Sequence, residues 1–319
     1  MAASGVFPKS VGDRVTALDY NTVQTLIKNV KTDYYGLATT STQVATGTTI
    51  TAAHWNKITQ DVNACIKHQT GSETSLAYKA AGDKIRAGDI NAIWGGAAAA
   101  RTNQANVYEL TQMAGPYYGT MSVRDGTSAP WNKLIYHTIN VTWANAAAAD
   151  YFFNQGGFFR ITASASGGVN SKDVSWTRVI NQVQNYTGPH INYNTGVTTA
   201  DTRTVHGNKP GIIFDKWNWA QGPNQRLCYI SGQTTGYYGY GYGYGYGGQN
   251  YNKNSYYILS DRLSANTLRI RVILEDNATL PSDTGVYLRI TSRIDYHKSF
   301  DAIPCPAGYL PTFTTTHNF

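Results

Sequence analysis

Cysteine, charge and long apolar runs are all scarce in this chain. Its three cysteines, Cys65, Cys228 and Cys305, are widely separated and show no CxxC or zinc-type spacing, which argues against a disulfide framework or a zinc knuckle. Charged residues make up 14%, against about 25% in ordinary soluble proteins. The net charge of +7 is spread thinly, with no Lys/Arg run, so a specific nucleic-acid partner is not expected. No stretch approaches the roughly 20 apolar residues of a membrane span, and residues 1–9 lack the apolar run of a signal peptide. The expectation is a chain made in a cytoplasm, without membrane insertion.

Catalytic signatures are equally thin. The histidines form no HExxH and no pair at metal spacing, and there is no nucleophile elbow. Asp150, Asp173, Asp201, Asp215, Asp261 and Glu275 offer carboxylates for glycoside cleavage, but nothing selects two of them. No glycine-rich phosphate loop is followed by Lys-Ser/Thr and a helix. The reading is a protein that is not an enzyme, with no cofactor and no metal.

What the chain does have is a motif repeated at an interval of 35 residues, beginning at Gly12, Gly47 and Gly82. Each copy runs Gly, branched aliphatic, Ala, a bulky apolar residue followed by Asn, then Val or Ile, as in Gly47-Thr48-Thr49-Ile50-Thr51-Ala52-Ala53-His54-Trp55-Asn56-Lys57-Ile58. Equal spacing points to one supersecondary unit copied twice. Each copy reads as an extended lead-in turning into a helix. Thr16 and Thr51 are placed as N-caps, with Asp19 completing a box and Arg86 giving the third copy a weaker cap. Tyr20, Val23, Ile27 and Val30 recur at helical spacing, as do Trp55, Ile58, Val62 and Ile66. Asn21, Asn56 and Asn91 sit early in each helix, where an amide could bond a neighbouring repeat's backbone or close a local first-turn bond. Gly95-Gly96 reads as an interruption of the third helix, allowing close helix contact or a break.

From about Leu110 to Pro116 onward the pattern turns to strands. Ile135, His137, Ile139, Val141 and Trp143 alternate with polar neighbours, and Phe158 to Ser166 reads as another strand. Short helices are expected over Ala146–Asn154 and from Asp173 to about Tyr186. Leu268 to Leu274 and Val286 to Ile290 read as the two arms of an antiparallel hairpin. That pairing would bring Arg269, Arg271, Arg289 and Arg293 to one face, where opposed cations repel unless neutralised.

The segment Gly236 to Gly248 alternates Tyr and Gly. If extended, it places Tyr238, Tyr240, Tyr242, Tyr244 and Tyr246 on one face, suited to recognising a protein or glycan, or left as a glycine-rich surface loop. Trp217 and Trp219 in Asp215-Lys216-Trp217-Asn218-Trp219 could line a sugar-binding surface or a packed loop.

Ile50-Thr51-Ala52-Ala53-His54-Trp55-Asn56-Lys57-Ile58 through His68-Gln69-Thr70-Gly71, together with its repeats, resembles regions of structural proteins from tailed bacteriophage virions. Residues 149–168, followed by Ser175-Trp176, look similar to a segment of tail or fibre components. The resemblance covers about half the chain and carries no catalytic residues. It implies a structural virion component on the tail, neck, collar or baseplate, whose partners are other virion proteins and copies of itself. The alternative is a host-receptor-binding, glycan-binding fibre or adhesin.

The expected fold is α+β. A helical region of three repeats over residues 1–113 serves docking and assembly through Tyr20, Asn21, Trp55, Asn56, Ile90 and Asn91. A mainly antiparallel β-sandwich-like domain with two covering helices follows over residues 114–319, with Tyr238 to Tyr246, Trp217 and Trp219 for surface recognition or intersubunit contact.

Overall fold

The computed structural model describes residues 7–108, 118–183, 190–192, 198–199, 212–215, 219–220, 225–231, 254–277, 285–298 and 302–318. The chain combines helices with two antiparallel sheets, an α+β arrangement. It divides into two compact units. One holds Met1–Ala114, Asp150–Gly156 and Lys298–Ala307; the other holds Gly115–Ala149, Gly157–His297 and Gly308–Phe319.

The first unit is built from α1 (Ala17–Lys28), α2 (Ala52–Thr70) and α3 (Ala87–Thr102). Each helix is preceded by a turn in which glycine adopts a left-handed conformation, at φ 100° for Gly12, 85° for Gly47 and 92° for Gly82. Positive φ costs glycine least, which accounts for its recurrence at this position. Thr16 caps α1 and Thr51 caps α2, each returning a bond from the third helical residue. The Arg86 side chain has no oxygen to offer, so α3 keeps only the reverse half, the Arg86 backbone N–H donating to Asp89 Oδ2 at 2.8 Å. A π-helical turn, Asn29–Tyr34, extends α1.

Helix α3 runs unbroken through Gly95-Gly96, so the expected interruption is absent. A Cβ on Gly96 would stand 3.0 Å from Val62 Cγ1 and within 4 Å of Leu76 and Ile66. The small residue there is a helix contact. Tyr20, Val23, Ile27, Trp55, Ile58, Val62, Ile90 and Ile93 form one buried core, joined by Ile303 from the distant segment Lys298–Ala307. Asn154 Nδ2 also donates to the Tyr34 carbonyl at 2.8 Å, and Gln155 Nε2 donates to that of Tyr35.

In the second unit one sheet has strand order β1 (Tyr118–Asp125), β10 (Leu288–His297), β3 (Phe158–Gly167), β6 (Ile212–Phe214). The other runs β11 (Thr312–His317), β2 (Leu134–Thr142), β9 (Thr267–Glu275), β8 (Ser255–Ser264), β7 (Gln225–Ser231), β4 (His190–Asn192), β5 (Thr198–Thr199). Burial alternates along β2 and along β9 as far as Val272, as period-two patterning requires, after which Val272, Ile273 and Leu274 are buried in succession. Helix α4 spans Ala146–Asn154, of which Asp150 onward belongs to the first unit, and α5 spans Ser171–Gln182.

The expected hairpin of Leu268–Leu274 with Val286–Ile290 does not form. β9 pairs with β2 and β8, while β10 pairs with β1 and β3 in the other sheet. Each set of arginines finds acid within its own sheet. Asp261 Oδ2 accepts from Arg269 Nη2 at 2.9 Å and Arg271 Nη2 at 2.7 Å, and Asp295 accepts from Arg293 Nε at 2.7 Å. Placing the strands in separate sheets removes the cation opposition that a direct pairing would create.

Buried groups of the two sheets meet at His137 of β2, whose Nδ1 lies 3.0 Å from Ser292 Oγ of β10 and whose Nε2 lies 3.2 Å from Thr120 Oγ1 of β1. Phe313 of β11 packs 5.4 Å from the ring of Tyr296 on β10.

Candidate functional site

The recurring asparagines are placed by the first turn of each helix, and all three make the same pair of bonds. Asn21 Oδ1 accepts from the Val44 N–H at 2.8 Å, and its Nδ2 donates to the Val44 carbonyl at 2.9 Å. Asn56 does the same to Lys79 at 2.8 and 2.9 Å. Asn91 does the same to Lys9 at 2.7 and 2.8 Å. An amide offers one acceptor and two donors, so it can satisfy both backbone groups of one extended residue. The order is cyclic: the first repeat holds the lead-in to the second, the second that to the third, and the third that to the first.

Two of the three joints carry an ion pair beside the clamp. Lys9 Nζ stands 2.8 Å from Asp19 Oδ1, and Lys79 Nζ 2.9 Å from Asp89 Oδ1. At the remaining joint the corresponding residues are Val44 and His54, so both partners of the pair are replaced together. Burial pushes the Asp19 carboxyl up, but hydrogen bonds from Lys9 and Thr16 outweigh it and leave it below the usual carboxylate range. Asp89 is likewise lowered, with burial opposed by the Arg86 backbone and Lys79.

The large residues beside each asparagine face inward. Tyr20, Trp55 and Ile90 are 1%, 2% and 1% exposed, so these proposed docking residues belong to the unit's own core. Tyr20 Oη donates to the His54 carbonyl at 3.1 Å and Trp55 Nε1 to the Ala77 carbonyl at 3.1 Å. Burial and the nearby Asp61 push the Tyr20 hydroxyl up to about 12, so it remains a neutral donor. Asp61, itself buried, accepts from Lys31 Nζ, from the backbone N–H and hydroxyl of Thr40, and from those of Ser41. These bonds pin the lead-in that Asn21 clamps. Desolvation raises its carboxyl, but Lys31 and the Ser41 and Thr40 donors prevail and hold it low.

What the unit leaves open is the end where the glycine turns and helix starts converge. A hollow of about 670 Å³ is lined there by matching positions of the three repeats, Asp13, Thr48 and Asp83, and by the half-buried Val15, Ile50 and Ile85. Leu18, 43% exposed, is among its lining residues. Sequence reading singled out the repeat but passed over this hollow. The signal was present in the exposed turn residues that precede each cap.

In the second unit, Trp219 is 4% exposed. The Arg262 guanidinium lies 4.0 Å from its ring centroid, and Trp143 packs 5.4 Å away. Its ring is thus engaged within the unit, and the packed-loop alternative describes it. Trp217 and Tyr238, Tyr240, Tyr242, Tyr244 and Tyr246 lie outside the described residues; in sequence the tyrosines fall between β7 and β8. On the long sheet, strand register aligns Tyr136, Ile273, Tyr257 and Tyr229 across four strands. Directly paired residues share a face. Tyr229 is 40% exposed, with its ring 6.4 Å from Tyr257 and the Arg226 guanidinium 5.0 Å from its centroid.

Among the described residues, no group of three or more His, Cys, Asp or Glu side chains is placed to hold a metal ion. No described helix is long and apolar enough to cross a membrane. Cys65, Cys228 and Cys305 are buried, and none of them is in a disulfide among the described residues. No protein family, curated protein or solved structure matches the chain.

Proposed function

We propose that this chain is a non-enzymatic structural component of a tailed bacteriophage virion, mounted on the tail, neck, collar or baseplate as a homo-oligomer. One observation carries the reading: the cyclic set of asparagine clamps. In a repeat protein with open ends, a lead-in clamped by its predecessor would leave the first lead-in unheld. Here Asn91 holds Lys9, so three copies close into a ring with pseudo-threefold character. Such a ring gives a rigid mount with turns of similar form presented together at one end. It suits a part that transmits load better than a site that must open to admit substrate.

The second unit fits the same role as a β-sandwich-like body, its two sheets bonded through His137, Ser292 and Thr120. The resemblance of residues 50–71 and of residues 149–168, followed by Ser175-Trp176, to virion proteins supports placing it in a particle. The test is mass spectrometry of purified particles, followed by electron microscopy of particles carrying an epitope tag on this chain. Recovery at stoichiometric levels with the tag at a fixed site on the tail, neck or baseplate is expected; absence from washed particles would end the proposal.

The row Tyr136, Ile273, Tyr257 and Tyr229 favours a second reading, a glycan-binding adhesin. Half-exposed aromatic rings on a sheet provide flat apolar surface for sugar rings, with Arg226 supplying donors. Binding on a glycan array, abolished by Tyr229→Ala with Tyr257→Ala, would put this reading first.

A further inference from the structure

We propose that the outward face of the long sheet is an acidic-glycan site, in which two arginines held by Asp261 bind a sugar carboxylate and the adjoining tyrosine row carries the sugar rings. The inference rests on the glycan-binding reading above and names its ligand class.

Strand register sets this face out in rows. Two residues along β9 from Ile273 of the tyrosine row, Arg271 lies in register with Leu259 and, through it, with Arg226. Two residues further, Arg269 pairs with Asp261. Strand residues two apart share a face, at about 7 Å from row to row. Burial agrees, since Arg269 and Arg271 are half-buried while Leu268, Ile270 and Val272 between and beside them are buried. Arg226 links the rows, its guanidinium 5.0 Å from the Tyr229 ring centroid.

Asp261, with its side chain only 5% exposed, orders both guanidinium groups. Its Oδ2 accepts from Arg269 Nε at 3.0 Å, Arg269 Nη2 at 2.9 Å and Arg271 Nη2 at 2.7 Å. One carboxylate therefore serves two cations. The Nη1 groups of both arginines make no hydrogen bond among the described residues, and the two side chains remain 36% and 32% exposed. A guanidinium has five N–H donors, so the pair is charged, ordered and short of acceptors. A carboxylate supplied by a ligand meets that need with charge-assisted bonds.

The distribution of charge selects the kind of acid. Arg226, Arg269 and Arg271 outnumber Asp261 on their two rows, whereas Glu275 stands on the same face on the far side of the tyrosine row. The cationic excess is thus local. A polyanion charged at every unit, such as nucleic acid, would set its charges against Glu275 on crossing the tyrosines. An acidic peptide would satisfy the arginines and leave the aromatic row unused. A glycan with a carboxylate on one ring and neutral rings beside it uses both.

The experiment applies the full chain to a glycan array carrying uronate- and sialate-bearing chains beside their carboxyl-reduced forms, with polyglutamate and duplex DNA as further probes. An acidic glycan is expected to bind roughly tenfold or more tightly than its reduced form, as one charge-assisted bond implies. Arg269→Gln with Arg271→Gln should erase that preference. Asp261→Asn, which removes the competing acid at nearly constant shape, should tighten binding, a gain that misfolding cannot produce. Equal binding of acidic and reduced chains, lost on Tyr229→Ala with Tyr257→Ala, would overturn the acid site and leave the glycan-binding reading standing. Polyglutamate or DNA bound as tightly as the acidic glycan would overturn the ligand class. Binding of no glycan at all would overturn both readings.

Discussion

The carboxamide of Asn91 grips the backbone of Lys9 from 82 residues away, accepting at 2.7 Å and donating at 2.8 Å. This joint makes the clamp series cyclic. Each bond contributes about 0.5–1.5 kcal/mol, so Asn91→Ala is expected to cost about 2 kcal/mol. Asn91→Asp should cost at least as much, because a carboxylate cannot donate to the Lys9 carbonyl. Urea unfolding followed by tryptophan fluorescence measures both, and a loss below about 0.5 kcal/mol would mean the joint holds nothing.

The joint without an ion pair can be given one. Val44→Lys alone should destabilise, since it places an unmatched amine where Val44 is 8% exposed. Val44→Lys with His54→Asp rebuilds the arrangement of Lys9 with Asp19. A favourable coupling of about 0.5–1 kcal/mol is expected from the double-mutant cycle. Zero coupling would show that the two natural pairs add little beyond their clamps.

His68 is 1% exposed, both ring nitrogens are without a hydrogen-bond partner among the described residues, and its ring meets Tyr35 edge-on at 5.0 Å. Burial lowers it from 6.5 to about 4. Between those values the unfolded chain binds a proton that the folded chain refuses, so stability falls as pH drops from about 6.5 to 4 and this contribution is then spent. The full shift corresponds to about 3 kcal/mol. His68→Leu should remove one proton from the slope of stability against pH in that window. Asp61 acts lower: its depressed carboxyl contributes above the unfolded value of about 3.9 and loses that contribution as pH falls through its folded value.

Ile303 is fully buried in the core of the helical unit, about 200 residues along the chain from the last repeat. Ile303→Ala is expected to cost about 2–5 kcal/mol, and calorimetry of the full chain should show it. A fragment ending at Ala114 lacks Ile303, Asn154 and Gln155, and should melt below the helical unit of the intact chain.

The helices were legible because their signals are local. Thr16, Thr51 and the apolar spacing behind them announce α1 and α2, and Ile135 to Val141 announces β2 by alternation. Asn21, Asn56 and Asn91 were visible as a recurrence, but a local bond and a clamp on the next repeat predict the same spacing. Only the fold distinguishes them. Pairing between strands distant in sequence left no comparable mark, so β9 and β10 read as neighbours because both alternate and a turn-rich segment joins them. Large apolar residues such as Tyr20, Trp55 and Ile90 serve cores and interfaces alike, so sequence alone suits them to docking. Their burial in this unit decides between the two uses.

The cyclic clamps also change how damage spreads. Opening one joint in a row frees everything beyond it, whereas opening one joint in a loop leaves the two parted surfaces tethered through both remaining joints. The freed lead-in stays at high effective concentration near its own asparagine and recloses before its neighbours follow. A unit made this way tolerates the transient loss of any single joint.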